Sequence, residues 1–247
     1  MQGLRDTDYA LIESDNVGRS YHVYVMLPQT YGLEPDRHYR TIYLLDGGSL
    51  LPLLGGYYRY LRFADETEEA IFVAISYGDI SFAGGNYRST DFTAPSAERD
   101  YWGGASKFQA FLADELMPWV EARYRAAPDK RIIFGHSLGG QFVLYTAQTR
   151  PNLFYGHIAS NPALHRNLDF YLEQVPDGPS ASLLFIGTGS RDAEMFREPL
   201  QRWIDHWTAI DDKPWQLEIR ELVDHTHTSA PPAAFWRGLS WIDALDE

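Results

Sequence analysis

The pentapeptide Gly135-His136-Ser137-Leu138-Gly139, of the form G-x-S-x-G, decides how this chain folds. An apolar run rich in β-branched residues, 131–134, stands before it, and residues 140–147 after it have a helical pattern. Strand, tight turn and helix in this order form a nucleophile elbow, in which glycine on both sides leaves the serine hydroxyl exposed above the sheet. The sequence therefore predicts that Ser137 is a nucleophile rather than a surface serine in a glycine-rich turn.

Backbone donors for an oxyanion are expected in two places. The N–H of Leu138 lies at the start of the predicted helix, where the helix dipole favours negative charge. A second N–H should come from the turn after the apolar strand 41–45, where Gly47 and Gly48 allow the backbone to approach a substrate closely. An ordinary glycine turn is the alternative there.

Composition limits the possible classes of protein. The 247 residues suit one α/β domain spanning 1–247. A formal net charge of −13, with no basic cluster, disfavours nucleic acid as a partner, and the absence of cysteine excludes disulfides and thiolate metal sites. The first residues lack the apolar run of a signal peptide, and no stretch approaches the ~18 apolar residues of a membrane span. We expect a soluble cytoplasmic protein with no membrane partner, and the oligomeric state stays open.

Short apolar strands alternate with helical patterns along the chain. Strands are predicted at 21–27, 41–45, 71–75, 131–134, 183–186 and 216–223, and helices at 108–116, 138–149, 193–207 and 233–245. Pro118 is expected to kink the first of these helices or to begin a second one. The pattern predicts an α/β fold with a mostly parallel central sheet flanked by helices on both faces. Active sites of such sheets lie beyond the carboxyl ends of the strands.

A serine nucleophile needs a histidine base and an acid that orients it, and on this fold they follow the serine in the order acid, then histidine. Among the eight histidines this order favours His225 and His227, in the loop between the last strand and the last helix. Their spacing of two residues does not decide between them. A zinc site built from the pair lacks an evident third ligand.

The acid is expected in the loop 187–194, directly after the strand 183–186. Asp192 is the first candidate and Glu194 the second. Asp192 could instead serve only as the N-cap of the helix that follows.

The long segment between Phe82 and Trp102 is rich in glycine and aromatic residues and should overhang the site. Arg88, Tyr87 and Trp102 are candidates for binding an anionic or aromatic part of a substrate. The alternative for Arg88 is an ion pair with Asp91 that only braces the segment.

Five segments together resemble the esterase family of α/β-hydrolases that includes siderophore esterases, feruloyl esterases, esterase D-type enzymes and the antigen 85 acyltransferases. The siderophore (enterochelin) esterase branch is the most similar. The segments are Leu44-Leu45-Asp46-Gly47, Tyr87-Arg88-Ser89-Thr90-Asp91-Phe92-Thr93-Ala94-Pro95, Gly135-His136-Ser137-Leu138-Gly139-Gly140, Ser160-Asn161-Pro162-Ala163-Leu164 and His227-Thr228-Ser229. Ala94 is an insertion relative to the family pattern, and the acid loop 187–194 is longer than the glutamate-bearing loop common in that branch.

The resemblance implies an α/β-hydrolase fold and a serine carboxylic-ester hydrolase. It implies that Ser137 forms an acyl-enzyme, that His227 rather than His225 is the base, and that no metal or organic cofactor takes part. The implied partner is a small-molecule ester of siderophore, aromatic or short-chain type. An acyltransferase with the same catalytic residues and a non-catalytic ligand-binding relative of this fold are the alternatives.

Overall fold

The computed structural model describes residues 6–174 and 180–246. Eight strands form one sheet in the order β1-β2-β4-β3-β5-β6-β7-β8. The strands are β1 (Thr7–Ser14), β2 (Arg19–Met26), β3 (Tyr39–Leu44), β4 (Ala70–Ser76), β5 (Ala126–His136), β6 (Gly156–Ser160), β7 (Leu183–Gly189) and β8 (Gln216–Leu222). The pairs β1–β2 and β2–β4 are antiparallel, and the other neighbours are parallel.

Helices cover both faces of the sheet. They are α1 (Gly47–Phe63), α2 (Arg88–Asp91), α3 (Ala105–Ala110), α4 (Met117–Glu121), α5 (Leu138–Thr149), α6 (Leu168–Glu173), α7 (Glu194–Thr208) and α8 (Ala230–Asp246). A π-helical segment, Phe111–Leu116, joins α3 to α4, and a short 3-10 helix covers Pro151–Leu153. Among the residues described, none of these helices is long and apolar enough to cross a membrane.

Two apolar cores lie on opposite faces of the sheet, because neighbouring residues of a strand point to opposite sides. On β5, Ile133 packs with α5 and α7 in one core, whereas Ile132 and Phe134 pack with α1 and α8 in the other. Burial on both faces explains why the central strands read as continuous apolar runs rather than as alternating patterns. The predicted mostly parallel α/β architecture is confirmed.

Among the elements that were not predicted are β1, β6 and α1. β1 is an exposed edge strand, and β6 has only five residues. Gly47 and Gly48, interpreted as a turn, are in fact the first two residues of α1, a helix that also contains Pro52 and two further glycines. Glycine and proline have low helix propensity, so the local sequence did not predict this helix. Burial of its apolar face against the sheet stabilises it.

The chain is helical on both sides of Pro118. Pro118 is the second residue of α4, where the amide N–H that proline lacks is less needed. The helix that starts at α3 therefore runs on through the π-helical segment into α4 rather than stopping.

Candidate active site

The serine turn joins β5 directly to α5. Ser137 follows His136 at the end of β5. Its backbone has φ 58° and ψ −116°, a conformation that residues other than glycine rarely adopt. A Cβ atom on Gly135 would lie 2.2 Å from the carbonyl oxygen of Gly139, so the turn closes only with glycine at position 135. The strained backbone is held by the Ser137 N–H, which donates to the carbonyl of Ser160 on β6 (3.0 Å).

A histidine hydrogen-bonds to the serine, and a carboxylate hydrogen-bonds to that histidine. Nε2 of His227 lies 2.9 Å from Oγ of Ser137, and its Nδ1 lies 2.8 Å from Oδ2 of Asp192. An ionised carboxylate only accepts hydrogen bonds, so the proton of the neutral ring belongs on Nδ1 and leaves Nε2 as the acceptor for the serine hydroxyl. In this tautomer His227 is able to take the serine proton.

Asp192 is fixed by two further donors. Asn161 donates from Nδ2 to Oδ2, and the N–H of Ala193 donates to Oδ1 at 2.7 Å. The carboxylate is 2% exposed. The N-cap position of α7 is Ala193, not Asp192, so the interpretation of Asp192 as a helix cap alone is wrong. Glu194 is exposed in the first turn of α7, and no hydrogen bond or ion pair of the described residues joins it to His227.

The second candidate histidine forms its hydrogen bonds within its own loop. Nδ1 of His225 donates to the carbonyl oxygen of Ser229 (2.9 Å) within its own loop. The loop after β8 therefore brings His227, and not His225, to Ser137.

Two aromatic rings flank His227, and sequence reasoning assigned a role to neither. The Phe196 ring on α7 stacks on the imidazole at 4.2 Å and 19°, and the His136 ring lies 4.7 Å away. Burial, followed by the nearby His227, lowers the pKa of His136 to about 4, so His136 is neutral at pH 7. A second charge beside the imidazolium of His227 is thus avoided. The position of His136 inside the G-x-S-x-G motif was the only sequence signal for this contact.

A cavity of about 380 Å³ opens beside the serine. Its lining is mostly apolar and aromatic and comprises Arg88, Ser89, Tyr101, Trp102, Ser137, Leu138, Gln141, Ala163, His165, Arg166, Met195 and Phe196. Arg88 and Trp102 therefore occupy the place expected for substrate-binding residues. Tyr87 does not line this cavity, because its ring packs against Phe82 and lies 4.4 Å from the Arg19 guanidinium.

Arg88 has a partner that the sequence did not suggest. Its Nε and Nη2 donate to the two carboxylate oxygens of Asp46, at 2.7 and 2.8 Å. The expected alternative, a pair with Asp91, is wrong. Asp91 is buried and instead accepts from Arg19, Tyr21 and Tyr77, which anchors α2 to the sheet.

The candidate oxyanion donors lie at the first residues of α5 and α1. Leu138 is the first residue of α5 and lines the cavity, while Gly47 and Gly48 begin α1, and the first N–H groups of a helix have no partner within it. The turn after β3 lies beside the elbow, since the N–H of Leu45 donates to the carbonyl of Phe134 on β5 (3.1 Å). A Cβ atom on Gly47 would lie 2.7 Å from the backbone of Ala74, so only glycine fits there.

Within residues 6–174 and 180–246, no three histidine or carboxylate side chains cluster as metal ligands would.

Comparison with known proteins decides the family. The family described as "Putative esterase" matches residues 14–228. The chain belongs to this family. The resemblance predicted from the motifs is thereby confirmed.

Among relatives in this family, the "Ferri-bacillibactin esterase BesA" of Bacillus subtilis is 33% identical over 187 residues, which cover 68% of this chain and 62% of that protein. The "Siderophore enterobactin esterase" of Emericella nidulans is 24% identical over 273 residues, which cover 91% of this chain and 90% of that protein. This chain thus spans less than two thirds of the Bacillus subtilis relative.

Solved structures extend the likeness to the whole fold. The BES protein from Bacillus cereus superposes with a TM-score of 0.83 at 23% identity and covers 96% of this chain and 95% of its own. The siderophore hydrolase EstB from Aspergillus nidulans gives 0.81 at 21% identity, with 97% and 95% covered. The predicted α/β-hydrolase fold is confirmed.

Proposed function

We propose that this protein is a carboxylic ester hydrolase that works through an acyl-enzyme on Ser137. The observation that carries the proposal is the continuous chain of hydrogen bonds from Ser137 through His227 to Asp192, at 2.9 and 2.8 Å. The strained turn that exposes the serine and the cavity beside it add support, because a nucleophile needs a place for the ester carbonyl.

In the first step Oγ of Ser137 attacks the ester carbonyl while Nε2 of His227 takes the hydroxyl proton. Asp192 stabilises the imidazolium that forms without itself becoming protonated. The N–H of Leu138, together with that of Gly47 or Gly48, is proposed to hold the oxyanion of the tetrahedral intermediate. When the intermediate collapses, His227 gives its proton to the leaving alcohol and Ser137 stays acylated.

The second step repeats the same moves with water. His227 removes a proton from the water as it attacks the acyl-enzyme, and then returns the proton to Oγ of Ser137 as the acid is released. The neutral ring of His136 and the stacked ring of Phe196 keep His227 in one orientation during both steps.

The proposed substrate is a small-molecule ester of siderophore, aromatic or short-chain type. One relative described above is named a ferri-bacillibactin esterase and the other a siderophore enterobactin esterase. The cavity here offers aromatic surface from Tyr101, Trp102 and Phe196. Arg88 and Trp102 are proposed to contact the substrate at the wall of this cavity.

A fluorophosphonate probe tests the proposal, because it labels only an activated serine. We expect stoichiometric labelling of the wild-type protein at the peptide that holds Ser137, loss of labelling in Ser137→Ala, and full labelling in Ser89→Ala, which removes another serine of the same cavity. Hydrolysis of p-nitrophenyl butyrate should follow the same pattern. A protein that is neither labelled nor active would instead be a ligand-binding member of the fold.

A further inference from the structure

The charge of the active-site cavity contrasts with that of the whole chain. The protein carries a formal net charge of −13, yet the residues that line the cavity include two arginines and no carboxylate. Arg88 is already balanced by its two hydrogen bonds to Asp46. Arg166 forms no ion pair within the ranges 6–174 and 180–246, so no carboxylate occupies its guanidinium.

The side chain of Arg166 is exposed at this cavity, and its guanidinium contacts two neighbours. Its Nε donates to Nε2 of His165 at 3.0 Å, and its Cζ lies 5.8 Å from the centroid of the Trp102 ring. Burial, and then the charge of Arg166, lower the pKa of His165, which favours the neutral ring that accepts this hydrogen bond. In the part of the chain that the structure describes, the two terminal nitrogens of Arg166 take part in no hydrogen bond.

One carboxylate that does not line the cavity lies near His165. Glu98 lies close enough to raise the pKa of His165, although it forms no ion pair with Arg166 within the described residues. Its negative charge weakens the local positive field without occupying the guanidinium.

We infer that Arg166 forms a subsite for a carboxylate-type anion carried by the ester substrate. A guanidinium presents paired N–H groups that match the two oxygens of a carboxylate, and a hydrogen bond between two charged groups is stronger than one between neutral groups. Trp102 supplies an aromatic face beside the subsite. This inference rests on the proposed ester hydrolysis and adds that the enzyme prefers anionic over neutral esters of the same shape.

Two matched ester pairs test it, since the anion could lie on either side of the scissile bond. The first pair is p-nitrophenyl hydrogen glutarate and p-nitrophenyl methyl glutarate, and the second is 4-acetoxybenzoate and its methyl ester. We expect Arg166→Gln to reduce the ratio of kcat/KM for anionic to neutral ester by about fivefold in at least one pair. Glu98→Gln should raise the same ratio.

Arg237→Gln is the matched control. Arg237 also lies over a tryptophan, at 4.5 Å from the Trp236 ring, and its loss changes the net charge equally, but it stands on α8 outside the cavity. Equal ratios for Arg166→Gln and Arg237→Gln in both pairs would overturn the inference.

A binding measurement separates this inference from the proposed function. Calorimetric titration of Ser137→Ala with 4-acetoxybenzoate and with its methyl ester requires no catalysis. We expect tighter binding of the anion, and loss of that difference when Arg166→Gln is added. If wild type is not labelled by the fluorophosphonate and hydrolyses neither pair while the binding difference remains, the esterase proposal fails and the anion subsite stands. Equal affinity of the two compounds for Ser137→Ala contradicts the subsite.

Discussion

Arg88 and Asp46 form a bidentate ion pair that ties the overhanging segment to the turn at the start of α1. Asp46 directly precedes Gly47 and has a left-handed backbone, with φ 52° and ψ 39°. The pair therefore fixes the backbone from which an oxyanion donor is proposed to come, so Arg88 acts on this turn through Asp46.

Substitution of Arg88 by lysine separates this positioning effect from a simple charge contact with substrate. Lysine keeps the positive charge but cannot supply two parallel N–H groups, so the turn at Gly47 should loosen. We expect Arg88→Lys to lower kcat for short neutral esters about tenfold while KM changes little. Arg37→Lys, which alters an exposed pair with Glu34, is the control. A wild-type kcat in Arg88→Lys would show that the pair does not position the turn.

Two glycines at different places in α1 should respond in opposite ways to alanine. A Cβ atom on Gly47 would meet the backbone of Ala74 at 2.7 Å, whereas one on Gly56 would meet nothing within 4 Å. Gly47→Ala is expected to reduce the free energy of unfolding by about 1–3 kcal/mol, and Gly56→Ala to raise it by up to about 1 kcal/mol. Urea unfolding followed by circular dichroism measures both, and equal effects would mean that Gly47 is not closely packed.

The identity of the acid is testable with isosteric changes. Asp192→Asn leaves the side-chain shape intact but removes the charge that holds His227 in its tautomer, so kcat should fall by about 10²–10⁴-fold. Glu194→Gln neutralises an exposed carboxylate two residues away and should leave kcat within about twofold of wild type. The reverse result would assign the acid to Glu194.

Stability should fall as the solution becomes acidic because of a buried histidine. His157 on β6 is fully buried, and this burial lowers its pKa from 6.5 to about 4. Since the unfolded chain binds the proton more readily, the contribution of neutral His157 is complete above about pH 6.5 and is lost as the pH falls towards 4. Between pH 7.5 and about pH 5 this amounts to roughly 2 kcal/mol.

Urea unfolding at these two pH values checks the contribution of His157. His157→Gln should lose less stability on acidification than wild type, and the exposed His38→Gln should lose as much as wild type. Identical pH dependence in all three proteins would show that protonation of His157 does not drive the loss.

The elements that the sequence revealed are those with strong local signals. The elbow at Ser137 has its own glycine pattern, and buried parallel strands such as β3 and β4 are apolar throughout. α1 was missed because Gly47, Gly48 and Pro52 disfavour a helix locally, and only burial against the sheet compensates. Edge strand β1 is exposed, so it lacked an apolar pattern.

Contacts between distant segments were the least predictable part of the site. Arg88 and Asp46 are 42 residues apart, and nothing near either one indicates the other. Asp91, only three residues from Arg88, was the obvious local partner. Its carboxylate instead accepts hydrogen bonds from Arg19 and Tyr21 on β2. The stacking of Phe196 on His227 depends on how α7 packs over the site, which the helical pattern alone does not specify.

Ester hydrolysis by Ser137 and His227 acting together is open to a single kinetic test. The most direct measurement is kcat/KM for p-nitrophenyl butyrate with wild type, Ser137→Ala, His227→Ala and His225→Ala. We expect Ser137→Ala and His227→Ala each to reduce turnover by about 10³-fold or more. His225→Ala should stay within about threefold of wild type, since its ring bonds to the Ser229 carbonyl. Retained turnover in Ser137→Ala or His227→Ala, or a loss confined to His225→Ala, would contradict the account.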